Sequence, residues 1–380
     1  MSYLFPNYQR KQLELIKGSK NILTDHFGKS YLDFTSGIGV MNLGYDDPEL
    51  NQVLATQATL LWHTPNLYEN HLQEQAAEKL ANGKDYLGYF CNSGAEANEA
   101  AIKLARKATG RSKIITFTNS FHGRTYGAMS ATGQASIHTG FAPLVPDFVY
   151  LPFNELAPLE AEIDQQTAAV MLELVQGEGG IVLADEQWIQ SVQKLCHKFG
   201  VLLIIDEIQT GIGRTGTFYA YENYQLEPDI FTLAKGLGNG IPVGAMLGKV
   251  ELAEAFGPGS HGSTFGGNKL ALSVANTVAD RINQAEFLEE VQNKGEQLMK
   301  GLKQLAKKNP LIIDVRGKGL MVGIELVDQE TLSQVVDQLE VEGLLALKAG
   351  KTVLRLLPPL TITKTEIDQG LAIIEKVLMK

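Results

Sequence analysis

Cysteine is almost missing from these 380 residues. Cys91 and Cys196 are the only two, far apart and in no metal-ligand spacing, so neither a disulfide framework nor a zinc site is indicated, and no metal is expected. Positive charge is short as well: 33 Lys and Arg stand against 43 Asp and Glu, a net charge of −10. A surface built for a phosphate backbone needs clustered basic residues, so nucleic acid is not expected as a partner. No apolar run approaches 18 residues, and the first residues lack the basic start and long apolar stretch of an export signal. Neither membrane insertion nor secretion is expected; a reducing cytoplasm fits. Charged residues make up only 20% against 44% hydrophobic, which excludes wholesale disorder. At this length one hydrophobic core is seldom enough, and about two domains are expected.

What is present alternates. Short apolar runs at 86–91, 114–118, 168–175, 201–205, 230–233 and 245–247 are separated by stretches of helical periodicity. Runs of that length between helices predict parallel strands buried on both faces. In one such stretch Trp188, Ile189, Val192, Leu195 and Cys196 share a helical stripe, which makes Cys196 a core residue. After Gly267 the pattern becomes a long helical stretch to about Lys308, two strands within 312–326, and helices near 330–343 and 364–379 around a strand at 352–357. The first fifty residues hold two short strands and too little apolar mass for a core of their own. The expected fold class is α/β: a large domain with a mostly parallel central sheet at 55–277, and a smaller α+β domain built from 278–380 together with an N-terminal segment, 1–54.

Chemistry gathers where the strands end. Lys235 sits between an apolar run and glycines, downstream of Asp206 at the close of Val201–Ile205. That pairing is what an enzyme needs to hold pyridoxal phosphate through an imine. Asp206 is nearest the strand end, although side-chain alternation could favour Glu207. Ser93 and Glu96 have capping-box spacing, and Gly94 and Ala95 carry no bulk that would keep an anion from the free N–H groups at a helix start. Ser120-Phe-His-Gly-Arg-Thr-Tyr126 offers an aromatic face in Phe121, and a carboxylate clamp in Arg124.

Two motifs compete. Gly211-Ile-Gly-Arg-Thr-Gly216 matches the dinucleotide fingerprint and would suggest a nicotinamide dehydrogenase. It does not lie in a strand-to-helix turn, and it reads as a flexible loop. Gly28-Lys-Ser30 mimics the end of a P-loop, but Leu23 stands where the first glycine belongs, so ATP is not supported.

Over nearly its whole length the chain resembles the class III aminotransferases of pyridoxal phosphate fold type I, most of all the bacterial branch that takes N-acetylornithine. The matching stretches are 31–40, 92–98, 121–124, 176–180, 206–211, 233–236 and 261–268. The resemblance implies that Lys235 carries the cofactor and moves a proton, that Asp206 pairs with its ring nitrogen, and that Phe121 stacks on the ring. It implies Gln209 near the phenolic oxygen, Ser93, Gly94 and Ala95 on the phosphate, and His122 among the cofactor contacts. Thr264 would reach the phosphate of a neighbouring subunit, making a homodimer. Arg124 and Arg355 would bind substrate carboxylates, Glu178 would neutralise Arg355 while the amine donor is bound, and Ser263 would border the substrate. Ornithine-specific relatives carry a tyrosine where this chain has Ile38, so an acylated donor is favoured; otherwise Ile38 is drift at a strand residue. The implied reaction moves the δ-amino group of N-acetylornithine to 2-oxoglutarate, giving N-acetylglutamate 5-semialdehyde and glutamate, as in arginine biosynthesis. Succinylornithine, ornithine and 4-aminobutyrate remain alternative donors, and a silent pyridoxal phosphate binder a remote one. Gly44-Tyr-Asp-Asp-Pro48 departs from the family pattern in what is expected to be a surface turn.

Overall fold

A computed structural model describes residues 3–379. Three strands open the chain: β1 (Leu15–Ser19), β2 (Ile22–Asp25) and β3 (Ser30–Asp33). The middle carries β4 (Tyr86–Cys91), β5 (Lys113–Phe117), β6 (Phe148–Leu151), β7 (Thr167–Leu172), β8 (Val175–Gln176), β9 (Val182–Leu183), β10 (Leu202–Asp206), β11 (Ile230–Leu233) and β12 (Gly244–Lys249). The last part adds β13 (Ile312–Lys318), β14 (Met321–Leu326), β15 (Leu344–Leu345), β16 (Leu347–Ala349) and β17 (Val353–Leu356).

Seven of these form the central sheet in the order β4-β12-β11-β10-β7-β5-β6. Its core is apolar and fully covered, with Ile115, Val170, Ile204 and Phe231 completely buried. The fold class is the expected α/β with a mostly parallel sheet, with one exception. The run at 245–247 belongs to β12, which is antiparallel to both β11 and β4. A short apolar run says that a strand is buried but not which way it points, so direction was beyond its reach. Because β12 reverses twice, β4 runs parallel to β11, and the carboxyl ends of β4, β5, β7, β10 and β11 meet at one edge. In open α/β sheets ligands bind in that crevice.

The helical stretch after Gly267 is two helices, Lys269–Ile282 and Ala285–Ala306, broken at Asn283-Gln284. The second packs on a sheet of order β13-β14-β17-β16. The opening strands form a further sheet, β1-β2-β3-β15, in which β3 pairs in parallel with β15 through Leu32–Leu344 and Asp33–Leu345. Cys196 is fully buried on the helix Glu186–Phe199. Gly211–Gly216 is no flexible loop. Arg214 is completely buried, donating to the carbonyls of Leu320 and Pro358 at 3.1 and 2.5 Å and to Asn42 Oδ1 at 2.7 Å. Nor is 44–48 a mere surface turn: Tyr45 donates to Asp33 at 2.7 Å, and Asp47 caps the helix Pro48–Ala58 while pairing with Arg281 at 2.7 Å.

Candidate active site

The converging strand ends enclose a cavity of about 410 Å³. Ser93, Gly94 and Ala95 line one side, at the start of the helix Gly94–Thr109. Ser93 Oγ accepts from Glu96 N at 3.2 Å, but the Glu96 carboxylate reaches back to Asn92 N rather than to Ser93 N. The first-turn N–H groups of Gly94 and Ala95 have no acceptor within the helix and sit at its positive end. Gly94 is required by space: a Cβ there would lie 2.8 Å from the Ile208 side chain. The arrangement fits a phosphate group.

Opposite this cradle, Asp206 and Glu207 part ways. Asp206 lines the cavity. Its Oδ2 lies 2.8 Å from both His122 Nδ1 and Asn98 Nδ2, and its Oδ1 accepts from Ile208 N at 3.0 Å. Asn98 is set in turn by Thr232 Oγ1 at 2.8 Å, one strand over on β11. Although burial opposes it, the Asp206 partner raises His122 above its ordinary value. Glu207 points away and accepts from Thr210 Oγ1 at 2.6 Å and Tyr221 N at 2.8 Å. Alternation along β10 therefore resolves in favour of Asp206.

Lys235 follows β11, half-buried against the same cavity and held at a φ of 42°. A non-glycine residue in the left-handed region persists only where its surroundings demand it. The next residue, Gly236, can carry no side chain because Asn42 occupies that space. Burial, and then the Arg355 cation, lower the Lys235 pKa against the pull of Glu178, Asp206 and Glu173. Phe121 and Arg124 lie on the cavity wall, with the Arg124 guanidinium 5.6 Å from the Phe121 ring centre. Gln209 and Glu178 line it too. Arg355, on β17, is buried behind them; its Nη1 lies 2.5 Å from Glu178 Oε1 and 3.4 Å from Gln209 Oε1. Burial alone would raise Glu178, but the Arg355 charge keeps it below its ordinary value.

Four of the expected residues lie outside this cavity's lining: Arg355, one layer behind Glu178 and Gln209, and Ser263, Thr264 and Ile38. Ser263 touches it at one remove, accepting from Asn92 Nδ2 at 3.1 Å, and Thr264 is exposed. Ile38 is no strand residue: it occupies a tight turn at a φ of 72° and is 44% exposed, while Val40 faces the cavity. Sequence reasoning missed Asn98, hidden on the apolar face of a helix, and Glu173, a carboxylate inside the apolar run 168–175. That one charge in eight residues was the available signal.

Comparison with known proteins places this geometry. Residues 5–378 match the family Aminotransferase class-III. The acetylornithine aminotransferase of Listeria monocytogenes serotype 4b (strain F2365) is 55% identical over 378 residues, covering 100% of this chain and 97% of the relative. That of Streptococcus mutans serotype c is 56% identical, covering 99% of both. Among solved structures, the ornithine aminotransferase from Toxoplasma gondii, described with pyridoxal phosphate partly occupying its active site, matches with a TM-score of 0.94 and 32% identity over 99% of this chain and 92% of that one. The N-acetylornithine aminotransferase from Stenotrophomonas maltophilia K279a matches at 0.85 and 35%, over 98% and 97%.

Proposed function

The chain belongs to the class III aminotransferases, and from that premise we propose that it moves the δ-amino group of N-acetylornithine to 2-oxoglutarate, with pyridoxal phosphate as cofactor. The products are N-acetylglutamate 5-semialdehyde and glutamate. What carries the reading is one ion pair: Arg355, buried, facing Glu178 at 2.5 Å on the wall that Lys235 also lines. The same pocket must take a donor that reacts at its distal amine and then a dicarboxylate. A positive charge that can be cancelled meets both needs. Identity of 50–56% to acetylornithine aminotransferases over the full chain supports this donor, whereas backbone similarity does not separate it from ornithine.

Bound between the cradle and Asp206, the cofactor supplies an aldehyde and a ring that withdraws electrons from the substrate carbon. The chain's residues do the rest. Lys235, with its pKa lowered, loses its proton more readily than an exposed lysine and can take one from, and return one to, atoms within reach of its Nζ. Asp206, fixed by three hydrogen bonds, offers a rigid carboxylate to a ring nitrogen; the Phe121 ring supplies a face; the Gly94 and Ala95 N–H groups hold the phosphate. Gln209 approaches the phenolic side, and Arg124 and Arg355 receive carboxylates.

A shared homodimeric site goes with this reading. Its support is an exposed apolar surface next to Thr264: Leu60, Trp62, Leu67, Tyr68 and Phe265 are all more than 60% exposed, and Asn66 ties their stretch to the backbone of Ser263 and Gly266. Patches of this kind mark interaction surfaces. A cytoplasmic setting also belongs to the proposal; among the described residues no helix is long and apolar enough to cross a membrane. The test is a donor panel of N-acetylornithine, succinylornithine, ornithine and 4-aminobutyrate, each with 2-oxoglutarate. N-acetylornithine is expected to show the highest kcat/KM, and preference for a free α-amine would overturn the assignment.

A further inference from the structure

Glu173 stands directly after β7, beside the strand that ends in Asp206, and is only 6% exposed. It lines the cavity, yet among the described residues no lysine or arginine pairs with it. Its oxygens go instead to two backbone N–H groups on different loops. Oε2 accepts from Phe121 N at 3.0 Å and Oε1 from Gly177 N at 3.4 Å. Phe121 opens the loop that carries the ring-facing side chain, and Gly177 immediately precedes Glu178. The second loop is held elsewhere by Gly177 O, which accepts from Arg355 Nη1 at 3.2 Å, and by Glu178 O, which accepts from Gly350 N at 2.8 Å. Burying a carboxylate is costly, and leaving two buried N–H groups without acceptors is costly as well. A single rigid group with two acceptor oxygens answers the second cost at both loops. Burial, reinforced by Asp206 and opposed by His122, lifts the Glu173 carboxyl to about 7, while the bonds from Phe121 N and Gly177 N favour the ionised form in which both oxygens accept. The two acceptor positions are what the geometry uses.

We propose that Glu173 is a positioning residue that clamps the turn bearing Glu178 to the Phe121 loop, and thereby sets how firmly Glu178 closes on Arg355. It tunes the choice between amine donor and dicarboxylate without touching either carboxylate arginine. This rests on the Glu178–Arg355 reading given above. Glu173→Gln conserves volume but keeps only one acceptor oxygen. The shorter bond, to Phe121 N, is retained, and the new amide NH₂ is turned against Gly177 N–H. The turn then moves away and Arg355 is partly released.

The experiment is calorimetric titration of the pyridoxal-phosphate-loaded protein with glutarate, a dicarboxylate that cannot react. Glu178→Ala is expected to bind glutarate more tightly. Glu173→Gln is expected to tighten it in the same direction by about three- to tenfold, and the double variant to bind no more tightly than Glu178→Ala, as coupled neighbours do. In turnover, Glu173→Gln should lower kcat/KM for N-acetylornithine more than for 2-oxoglutarate. Unchanged or weakened glutarate binding in Glu173→Gln, or effects that add in the double variant, would overturn the clamp while leaving the ion-pair reading intact. Failure of Glu178→Ala itself to tighten glutarate would overturn both. If Glu173→Gln does not fold, Glu173→Asp serves in its place: its shortened stem reaches one loop at a time, and the same signs are expected.

Discussion

Lys235 and Asp206 stand out in the sequence because each interrupts an apolar strand pattern at its end, where a charge has no packing role. Glycines around 94 and 236 are legible for a similar reason: they mark places where a Cβ has no room. Glu173 and Asn98 are not legible in that way, because their meaning depends on which strand lies beside which, and that is decided by contacts far away in sequence. The expected consequence at Lys235 is sharp. Lys235→Ala should reduce turnover by several orders of magnitude while the protein still retains pyridoxal phosphate through the helix start; after borohydride reduction of the unaltered protein, a digest should carry the cofactor mass on the peptide containing Lys235. Cofactor mass on a different lysine would refute its role. Glu207 makes a separate prediction. Burial lifts its carboxyl from an ordinary 4.5 to about 7. The folded state therefore binds this proton more tightly than the unfolded chain, so the stabilisation is complete below about 4.5 and is lost as pH rises through about 7. Glu207→Gln can still accept from Tyr221 N and donate to Thr210, and it has no proton to lose. It should remove roughly 3 kcal/mol or less of the stability decline between pH 5 and 8, read as a smaller fall in Tm over that range.

Helices and strands were visible in outline, since periodicities of 3.6 and 2 report burial directly. Strand direction was not, as β12 shows: its apolar run is equally consistent with either orientation until β4 and β11 are placed beside it. The glycine pattern at 211–216 misleads for the opposite reason. Its small residues serve close packing, with Gly213 held against Ile282 and Leu360, and polarity there comes from the buried Arg214 and Thr215. At the level of a helix, the start of Gly94–Thr109 is capped by Ser93, and the proposed function asks it to hold a phosphate as well. Ser93→Ala should cost about 1 kcal/mol of stability by leaving Glu96 N without its acceptor. It should also speed cofactor release, measured by dialysis against phosphate buffer; loss of stability with an unchanged release rate would confine Ser93 to capping.

For the whole molecule, composition bounded the class and the resemblance across the full length supplied the architecture; neither could show where the exposed apolar surface at 60–68 and 265 would fall. If that surface joins two copies, sedimentation should give twice the 41.4 kDa chain mass. Leu67→Asp should then shift the protein toward monomer and weaken cofactor binding with it, because Thr264 would lose the neighbour it serves. A monomeric native protein with full activity would exclude the shared site. One further feature bears on how such a chain comes to exist. β3 finds its parallel partner β15 more than three hundred residues later. While the polypeptide is being made, the edge of β3 has nothing to bond to until the final stretch leaves the ribosome, so its opening hairpin must wait, exposed, through almost the entire synthesis. Truncating the protein before Leu344 should therefore leave an N-terminal segment that is cleaved early by protease, however complete the central sheet behind it.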